Sequence, residues 1–541
     1  MRPHFITGAQ AADLIRNGDT IATVGMTLVG SSETILKAIE RRYLESGEPS
    51  GLTLVHASGQ SNRDGGIEHL AHEGLIKRII GSHWGFQPRW MELIGENKVE
   101  AYCLPQGQIA HLYRAMSYGS PGKLSRIGLG TFIDPRLEGG KMNERTRNLP
   151  DIVEVVTFRG EEFLFYKEIP LDFVIIRGTT ADTKGNITTE EEPMKLELLP
   201  AALAAKRFGG KVLAQVKYLA DAGTLHPRDV VVPGVFVDVI VVAEDPFEDH
   251  KQTNCAFFDP AFCGNIRVPL DQLPRLELTV RKVIGRRAVM FLTRDSIINL
   301  GTGIPNDVVG PIASEEGILD SFTITVESGV YGGVPYGGVD FGVAKNMDAL
   351  IEHHVQFDYY NGAGVDFTFM GAAEMDQEGN VNATKFGSRV AGAGGFIDIT
   401  QGARCVVFCS SFTADGLDVD FRDGKVVIKR EGKIKKLVKR VQQVSFSGKF
   451  ARNKGQKVLF VTERAVFEQD PGGPVLTEIA PGVNLERDVL GQMEFRPKVS
   501  ADLRLMDSRI FRPERMGCCL PPCDTPNTLG RGAVRRGSYR G

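Results

Sequence analysis

Glu327 is the acidic residue whose surroundings point most directly to chemistry. It follows the apolar, β-branched run "SFTITV" (321–326), and six of the nineteen residues in "ITVESGVYGGVPYGGVDFG" (324–342) are glycine. A strand would fix the backbone of Glu327, and the glycines let atoms of another molecule approach it closely. A carboxylate so placed can be a general base, a nucleophile or a metal ligand. Asp340 is the only other acid nearby, so a metal is the least favoured role. A plain surface glutamate is the alternative.

A second glycine-rich turn, in "NLGTGIPNDVV" (299–309), suits an anion. Gly301 and Gly303 permit a tight turn, Pro305 suits the start of a helix, and the free N–H groups there attract negative charge. The spacing G-x-G-x-x-N is an incomplete dinucleotide fingerprint. In the related stretch "GMTLVGSS" (25–32), Ser31 stands where a Walker loop has lysine, which excludes that nucleotide site. An ordinary strand-to-helix turn is the alternative.

The third such turn lies in "VAGAGGFIDIT" (390–400). Backbone N–H groups at Gly392, Gly394 and Gly395 can point outward and stabilise a developing oxyanion. A tight turn between two buried segments is the alternative. Each of the three turns follows a strand-like run, so we expect them to gather at the edge of a sheet where α/β proteins bind ligands.

The elements that must position these turns are short apolar strands alternating with helices. Runs such as "DFVIIRG", "VDVIVVAED", "VDFTFMG" and "RCVVFCS" are typical of strands buried on both faces. The patterns "LPAALAAKRFG" and "NMDALIEHHVQF" predict helices between them, and "FRDGKVVIKREGKIKKLVKRVQQVSFSG" (421–448) predicts hairpins. The sequence therefore predicts open α/β sheets, mainly parallel, with added β-hairpins.

Two pairs of segments indicate an internal duplication. "GDTIATVG" (18–25) resembles "RDSIINLG" (294–301), and "ADTKGNIT" (181–188) resembles "MDQEGNVN" (375–382), in the same order. We predict two related α/β domains at 1–245 and 285–520, joined by a linker at 246–284. Residues 521–541 are predicted to be a disordered tail, because from Thr525 on there are four arginines, no acids and many glycines.

Composition excludes several classes of function. The chain has 541 residues, a net charge of −3 and 42% apolar residues, so no overall positive field recruits nucleic acid or an acidic membrane. No export signal and no membrane-spanning stretch is recognised, which predicts a cytoplasmic protein. Eight cysteines in a chain of this length do not indicate a disulfide scaffold. The cluster Cys518, Cys519 and Cys523 lacks a second ligand pair, so we predict no metal site there.

Taken together, these stretches resemble the class I coenzyme A transferases, in the fused two-domain form that includes short-chain acyl-CoA:acetate and 3-oxoacid transferases. The resemblance rests on "NLGTGIP", "ESGVYGG", "FDYYNGAGVDFTFMGAAEMDQEGNVNATKFG", "GAGGFIDIT" and "TERAVFEQDPGGPVLTEIAPGV", and it extends to about residue 520. It implies that Glu327 is the catalytic carboxylate. The pattern Glu327-Ser328-Gly329 looks closer to the acetate transferases than to the ketone-body enzymes.

The resemblance also implies a mechanism and further site residues. Glu327 would attack an acyl-CoA, form a mixed anhydride and then a glutamyl-CoA thioester, and pass CoA to a second acid in ping-pong fashion. Residues of the CoA-contacting turn would be Gly301, Thr302, Gly303, Ile304 and Pro305. Gly394 and Gly395 would lie near the thioester.

In "LPQGQIAHLYRAM", Gln106, with Gln108 as the fallback, would reach the site from the other domain. The implied partners are acyl-CoA and short-chain carboxylic acids, with no cofactor or metal, in a homo-oligomer (dimer or tetramer). An acyl-CoA hydrolase and a non-enzymatic CoA sensor are the alternatives.

Two other groups are interpreted as structural. His353 and His354, at the end of "ALIEHHVQF", are predicted to form a polar edge. Basic residues of the hairpin region, Lys436 among them, are predicted to line a solvated strand face, although a CoA phosphate is an alternative contact.

Overall fold

Two large β-sheets organise the chain, one in each half. The computed structural model describes residues 2–269 and 275–522. The first sheet has eight strands, all parallel to their neighbours. Their spatial order is His4–Phe5, Val239–Val242, Lys211–Val216, Phe173–Arg177, Thr20–Thr23, Leu52–His56, Ile76–Gly81 and Glu100–Cys103.

The second sheet has ten strands with a parallel centre. Their order is Ala349–Leu350, Val330–Tyr331, Thr323–Thr325, Ile297–Leu300, Phe367–Gly371, Cys405–Cys409, Lys457–Val461, Ala465–Asp470, Gly473–Ile479 and Lys498–Leu505. The five strands from Thr323–Thr325 to Lys457–Val461 pair in parallel, and antiparallel pairs flank them on both sides. The predicted fold class, two α/β units with mainly parallel sheets, is confirmed.

Helices accompany the strands in both halves, and longer ones such as Glu33–Ser46 and Leu198–Arg207 bury an apolar face. Those of the first half are Gly8–Ala12, Glu33–Ser46, Pro88–Gly95, Gln106–Ser117, Glu144–Arg147, Leu198–Arg207 and Pro246–Asp249. Those of the second half are Val280–Val289, Ile304–Glu316, His353–Asn361, Phe396–Gly402 and Gly448–Lys454. Buried apolar residues of both halves join in one core, and a second cluster lies beneath the helices Val280–Val289 and Ile304–Glu316.

Smaller sheets and turns decorate both halves. Four strands pair in the order Tyr218–Ala220, Thr180–Asp182, Ile187–Thr188 and Val230–Val232, and three in the order Gly122–Ser125, Glu161–Lys167 and Val153–Phe158. In the second half, three strands pair in the order Val381–Asn382, Glu374–Asp376 and Leu437–Val438. Two-stranded pairs are Val334–Pro335 with Ala344–Lys345, Lys385–Phe386 with Arg389–Val390, Thr413–Ala414 with Ile434–Lys435, and the predicted hairpin Asp418–Arg422 with Lys425–Arg430.

Single turns of 3₁₀-helix complete the described elements, at Gly66–Leu70, Gly234–Phe236, Leu319–Ser321, Gly338–Asp340, Leu490–Gln492 and Ser508–Phe511, together with the π-turn Leu485–Val489.

The matching turns of the two halves support the duplication in atomic detail. The carboxylate of Asp182 accepts hydrogen bonds from the backbone N–H of residues 184 and 186 and from the Asn186 amide. Asp376 accepts the same three bonds from residues 378 and 380. Each asparagine then accepts from the N–H of a distant glycine, at residue 234 in one half and 448 in the other. The four shared bonds favour a common origin of the two turns.

Some sequence expectations need correction or lie outside the described residues. The stretch 346–357 is not one helix, because Ala349–Leu350 is an edge strand and the helix begins only at His353. The segment predicted as a linker contains the helix Pro246–Asp249 and the start of Val280–Val289. The Pro521 carbonyl accepts a hydrogen bond from the Arg294 N–H. Cys523 and the remainder of the predicted tail lie outside the described residues, and the domain boundaries stay predictions.

Candidate active site

The carboxyl ends of strands from both sheets open into one cavity of about 350 Å³, called the central cavity below. The first half contributes Thr27, Gly59, His83 and Gln106, which follow four successive strands of the first sheet. The second half contributes the turn after Ile297–Leu300, the end of Phe367–Gly371, and Glu327. The edge at which α/β sheets bind ligands is therefore shared between the halves.

Glu327 lies in this cavity as a buried carboxylate. It is 7% exposed, and its Oε2 has no hydrogen-bond partner among residues 2–269 and 275–522. Burial raises its pKa to about 7, although its own backbone N–H and the neighbouring His353 act in the opposite direction. A carboxylate with little hydration and an unshared oxygen is a better nucleophile than one in water.

The turn after Glu327 holds it in place through backbone contacts. The Ser328 hydroxyl donates to the Gly342 carbonyl at 2.5 Å, and the Gly329 N–H donates to the Val326 carbonyl at 3.0 Å. Gly329 has a φ of +104°, and a Cβ there would lie 2.0 Å from the carbonyl oxygen of Ile351. Only glycine fits this position, which explains the residue type two places after the carboxylate.

Gln106 reaches the cavity from the first half and is oriented by a buried histidine that is itself hydrogen-bonded to a carboxylate. Its Nε2 lies 2.8 Å from Nε2 of His353, whose Nδ1 lies 2.5 Å from Oε2 of Glu197. All three residues are at most 2% exposed. When Nδ1–H donates to the carboxylate, Nε2 is the acceptor, so the Gln106 amide nitrogen faces His353 and its oxygen is left to the cavity. We call this row the Glu197–His353–Gln106 chain.

His353 was therefore misinterpreted as part of a polar edge, because it begins a helix and is fully buried. The fallback residue Gln108 turns away from the cavity: its Nε2 donates to Asp398 at 2.6 Å and its Oε1 accepts from Lys123 at 2.9 Å. The structure thus brings Gln106, and not Gln108, to the cavity.

The two glycines of the third turn differ in what their backbone offers. The Gly394 N–H donates to the Ser82 carbonyl at 2.8 Å, and the Gly394 carbonyl accepts from the Gln106 N–H at 3.0 Å. Gly394 therefore ties the halves together and has no N–H to spare. No acceptor for the Gly395 N–H is found in the described part of the chain, and this glycine also lines the cavity. The sequence predicted a strand before this turn; the strand found there, Arg389–Val390, belongs to a two-stranded sheet and not to the ten-stranded one.

The turn 301–305 is only partly at the cavity. Gly301 and Thr302 line it, whereas Gly303, Ile304 and Pro305 lie at the start of the helix Ile304–Glu316 beyond its wall. The Gly301 N–H donates to the Phe369 carbonyl at 2.8 Å, which anchors the turn to the neighbouring strand.

Two cavity residues were missed or misjudged from the sequence. Lys436, predicted to lie on a solvated face, lines the cavity and donates to the Ser410 hydroxyl, and burial lowers its pKa to about 8. His83 also lines the cavity, and no motif marks it in the sequence. In the described ranges, no three His, Cys, Asp or Glu side chains are grouped as metal ligands would be. No described helix is both long and apolar enough to cross a membrane.

Comparison with known proteins agrees with this architecture. Residues 6–243 match the family described as coenzyme A transferase. The chain is 46% identical over 513 residues to caffeate CoA-transferase of Acetobacterium woodii, an alignment covering 94% of this chain and 97% of that protein. It is 38% identical over 522 residues to acetate CoA-transferase YdiF of Escherichia coli K12, covering 96% and 97%. The chain belongs to the coenzyme A transferase family.

A solved structure of a family member shares the complete fold. The acyl-CoA transferase YdiF of E. coli O157:H7, crystallised as a thioester complex with CoA, superposes with a TM-score of 0.89 at 37% identity. The match covers 96% of this chain and 98% of that one. The protein is thus a fused, two-domain class I CoA transferase.

Proposed function

We propose that this CoA transferase moves CoA from a short-chain acyl-CoA to an acceptor carboxylic acid through covalent intermediates on Glu327. The observation that carries the proposal is the position of that carboxylate: buried, with an unshared oxygen, in a cavity to which both halves contribute. No metal, redox group or other cofactor is needed, because an activated acyl bond exists at every stage.

The steps balance as two successive exchanges. The Glu327 carboxylate adds to the thioester carbonyl, the C–S bond breaks, and CoA thiolate leaves behind a mixed anhydride. The thiolate then attacks the glutamyl carbonyl, the anhydride C–O bond breaks, and the first acid departs as its carboxylate. The acceptor acid reverses these steps on the glutamyl-CoA thioester, which gives ping-pong kinetics.

Neighbouring groups have supporting roles in this scheme. In this scheme the Gly395 N–H donates to the oxyanion of the tetrahedral intermediate. One such hydrogen bond lowers the activation free energy by about 3 kcal/mol. The Gln106 amide, held by His353, orients the acyl carbonyl or the acceptor carboxylate. Gly301 and Thr302 contact CoA, and the helix start at Gly303, Ile304 and Pro305 lies behind them.

We propose a monocarboxylic acid as the acceptor, with acetate and 3-oxoacids as the first candidates. Apart from Glu327, Lys436 is the one formally charged side chain among the described lining residues, and it is bound to Ser410. The names of two relatives also refer to monocarboxylates, acetate and caffeate. Cytoplasmic location and a homo-oligomeric state belong to the same proposal and rest on the sequence interpretation.

Intact-mass measurement tests the covalent path. The protein is mixed with acetyl-CoA and no acceptor acid, and we expect an added mass of CoA less one water, mapped to Glu327 by peptide analysis. Glu327→Gln should form no adduct, whereas the exposed control Glu45→Gln should form it normally. An adduct on another residue, or exchange by Glu327→Gln at the normal rate, would refute the role of Glu327. Steady release of free CoA without an acceptor would instead identify a hydrolase, and binding without turnover a sensor.

A further inference from the structure

His83 is a polar residue of the central cavity to which the transfer steps give no role. It follows the strand Ile76–Gly81 and lines the cavity beside Gln106 and Gly394. Neither nitrogen of its imidazole has a hydrogen-bond partner in residues 2–269 and 275–522, and the side chain is half-buried. Both nitrogens are therefore free to bond a ligand that enters the cavity.

The imidazole is held in a slot formed by glycines. A Cβ added at Gly59 would lie 2.8 Å from Nδ1 of His83, and one added at Gly85 would lie 2.7 Å from both Cε1 and Nε2. Phe86 packs edge-on against the ring, with the centroids 5.7 Å apart. Two alanines would fill the space that the ring occupies, so the glycines reserve it for His83.

The ring is neutral, which restricts what it can recognise. Burial lowers the pKa of His83 to about 4, and the charge of Arg389 acts in the same direction. A neutral imidazole has one N–H donor and one nitrogen acceptor, so it pairs with an uncharged hydroxyl or carbonyl. It offers no positive charge to a second carboxylate, which Glu327 would also repel.

The place of the ring in the cavity indicates which part of a substrate it meets. A Cβ at Gly394 would lie 3.6 Å from Oε1 of Gln106 and 3.9 Å from Cδ2 of His83, so both side chains border the same space. Met26, Thr27, His83 and Phe86 of the first half line this cavity together with Gly301 and Thr302 of the second half. An acyl chain that occupies the space beside Gln106 and Gly394 comes within reach of His83.

We propose that His83 is a specificity-determining residue that hydrogen-bonds a neutral hydroxyl or keto group on the chain of the transferred acid. The inference rests on the proposed function, since it requires that CoA is exchanged between acids in this cavity. Its substrates are monocarboxylic acids with such a substituent, and unsubstituted acids of equal length bind without this contact.

Matched acids of one chain length test the assignment. We would measure kcat/KM for CoA transfer from acetyl-CoA to butyrate, to 3-oxobutyrate and to 2-, 3- and 4-hydroxybutyrate, with the wild type, His83→Phe and His83→Gln. The ratio of a substituted acid to butyrate should fall about 10-fold or more in His83→Phe for at least one acid. The glutamine, which keeps a donor and an acceptor, should restore part of that ratio.

A second variant displaces the ring without touching a substrate. Gly85 does not line the cavity, so Gly85→Ala should push the imidazole forward and lower the same ratio. Gly310→Ala is the control, because its Cβ would approach only Pro335, at 3.9 Å. Thermal unfolding of each variant, compared with that of the wild type, shows whether the variant is folded.

The outcomes separate this inference from the function beneath it. If His83→Phe and Gly85→Ala show the wild-type ratio of kcat/KM between each substituted acid and butyrate, His83 does not bind the substituent and the inference is overturned. If both lower transfer to butyrate and to its derivatives alike, the inference is also overturned. If the wild type transfers CoA to no acid at all, the proposed function fails and the inference falls with it.

Discussion

At the scale of single residues, the unusual property of this site is a glutamate kept from water. Desolvation disfavours the charged form of Glu327, yet the charged form is the one that the proposed mechanism requires. The fraction of Glu327 in its charged form therefore depends on pH near neutrality, and rates and stabilities measured against pH should report it.

The rate of transfer should follow the ionisation of Glu327. Since its pKa is raised to about 7, the reactive carboxylate becomes the minor form as the pH falls below that value. We expect kcat/KM for the acyl-CoA to fall about tenfold for each pH unit below 6 and to level off above 8. Initial rates between pH 5.5 and 9 with acetate, which stays ionised throughout, provide the measurement. A flat profile over that range would contradict a desolvated carboxylate.

The same ionisation should lower stability at high pH. The folded-state pKa of Glu327 exceeds its ordinary value of 4.5, so ionising it in the folded protein costs free energy once the pH rises above 4.5. Glu327→Gln should raise the free energy of unfolding at pH 8 by on the order of 3 kcal/mol, and by nothing below pH 4.5. Thermal unfolding of both proteins at pH 4.5 and 8 checks this. A stabilisation of equal size at both pH values would assign the effect to packing.

At the scale of elements, the backbone of the turn after Glu327 fixes the position of its carboxylate. Gly329→Ala places a Cβ 2.0 Å from the Ile351 carbonyl oxygen and also forces alanine to a φ of +104°. We expect a loss of about 3 kcal/mol in unfolding free energy and at least a 10²-fold loss in kcat. Gly338→Ala is the matched control: its φ is +61° and no atom lies within 4 Å of the added Cβ. Equal effects in the two variants would mean that backbone strain alone, and not the displaced turn, causes the loss.

A second cluster whose charges depend on pH joins His69 to two glutamates of the helix Glu33–Ser46. His69 lies 2.6 Å from Oε2 of Glu40 and 3.1 Å from Oε2 of Glu33. Burial opposes the charge on each group, but the hydrogen bonds and opposite charges prevail, raising the pKa of His69 and lowering the pKa of both glutamates.

These shifts define the pH window in which the cluster stabilises the fold. The contribution of His69 is complete below its ordinary pKa of 6.5 and is lost as the pH rises through its folded-state value. That of the glutamates is present above 4.5 and is lost as the pH falls through theirs. His69→Gln should therefore destabilise the protein by about 1–2 kcal/mol near pH 5.5 and by less at pH 9. Thermal unfolding, with the exposed His226→Gln variant as the control, measures this difference. A larger destabilisation at pH 9 than at pH 5.5 would contradict a raised pKa of His69.

At the scale of the whole molecule, the Glu197–His353–Gln106 chain joins the halves at the site. His353 comes from the second half, and its two partners come from the first. His353→Phe keeps an aromatic ring at this position but removes both ring nitrogens. Glu197 is then buried without a hydrogen-bond partner, and the Gln106 amide is no longer held in one orientation. We expect kcat to fall 10- to 100-fold with a smaller change in KM, and stability to fall by about 3 kcal/mol.

A double substitution distinguishes positioning from general damage. If His353 acts through the amide, Gln106→Ala and His353→Phe together should lower kcat little more than Gln106→Ala alone. His354→Gln, the next residue of the helix, is the control because its imidazole does not contact Gln106. Multiplicative losses in kcat would show that the two residues act independently.

The sequence predicted what depends on local pattern. The strand before Glu327, the turn at Gly301 and the paired Asp-x-x-Gly-Asn turns are encoded within about ten residues each, so their types and order could be inferred. It could not predict the neighbours of Gln106, because His353 lies 247 residues away from it and Glu197 lies 156 residues from His353. His83 and Lys436 were missed for the same reason: whether a polar residue is buried depends on segments that the local pattern does not contain.

The division of the cavity between the halves has a consequence during synthesis. A ribosome that has synthesised only the first 300 residues has made the wall with His83 and Gln106 but not Glu327, the proposed nucleophile. Such a nascent chain lacks the carboxylate on which the proposed transfer depends, and the cavity is complete only after the second half has been translated.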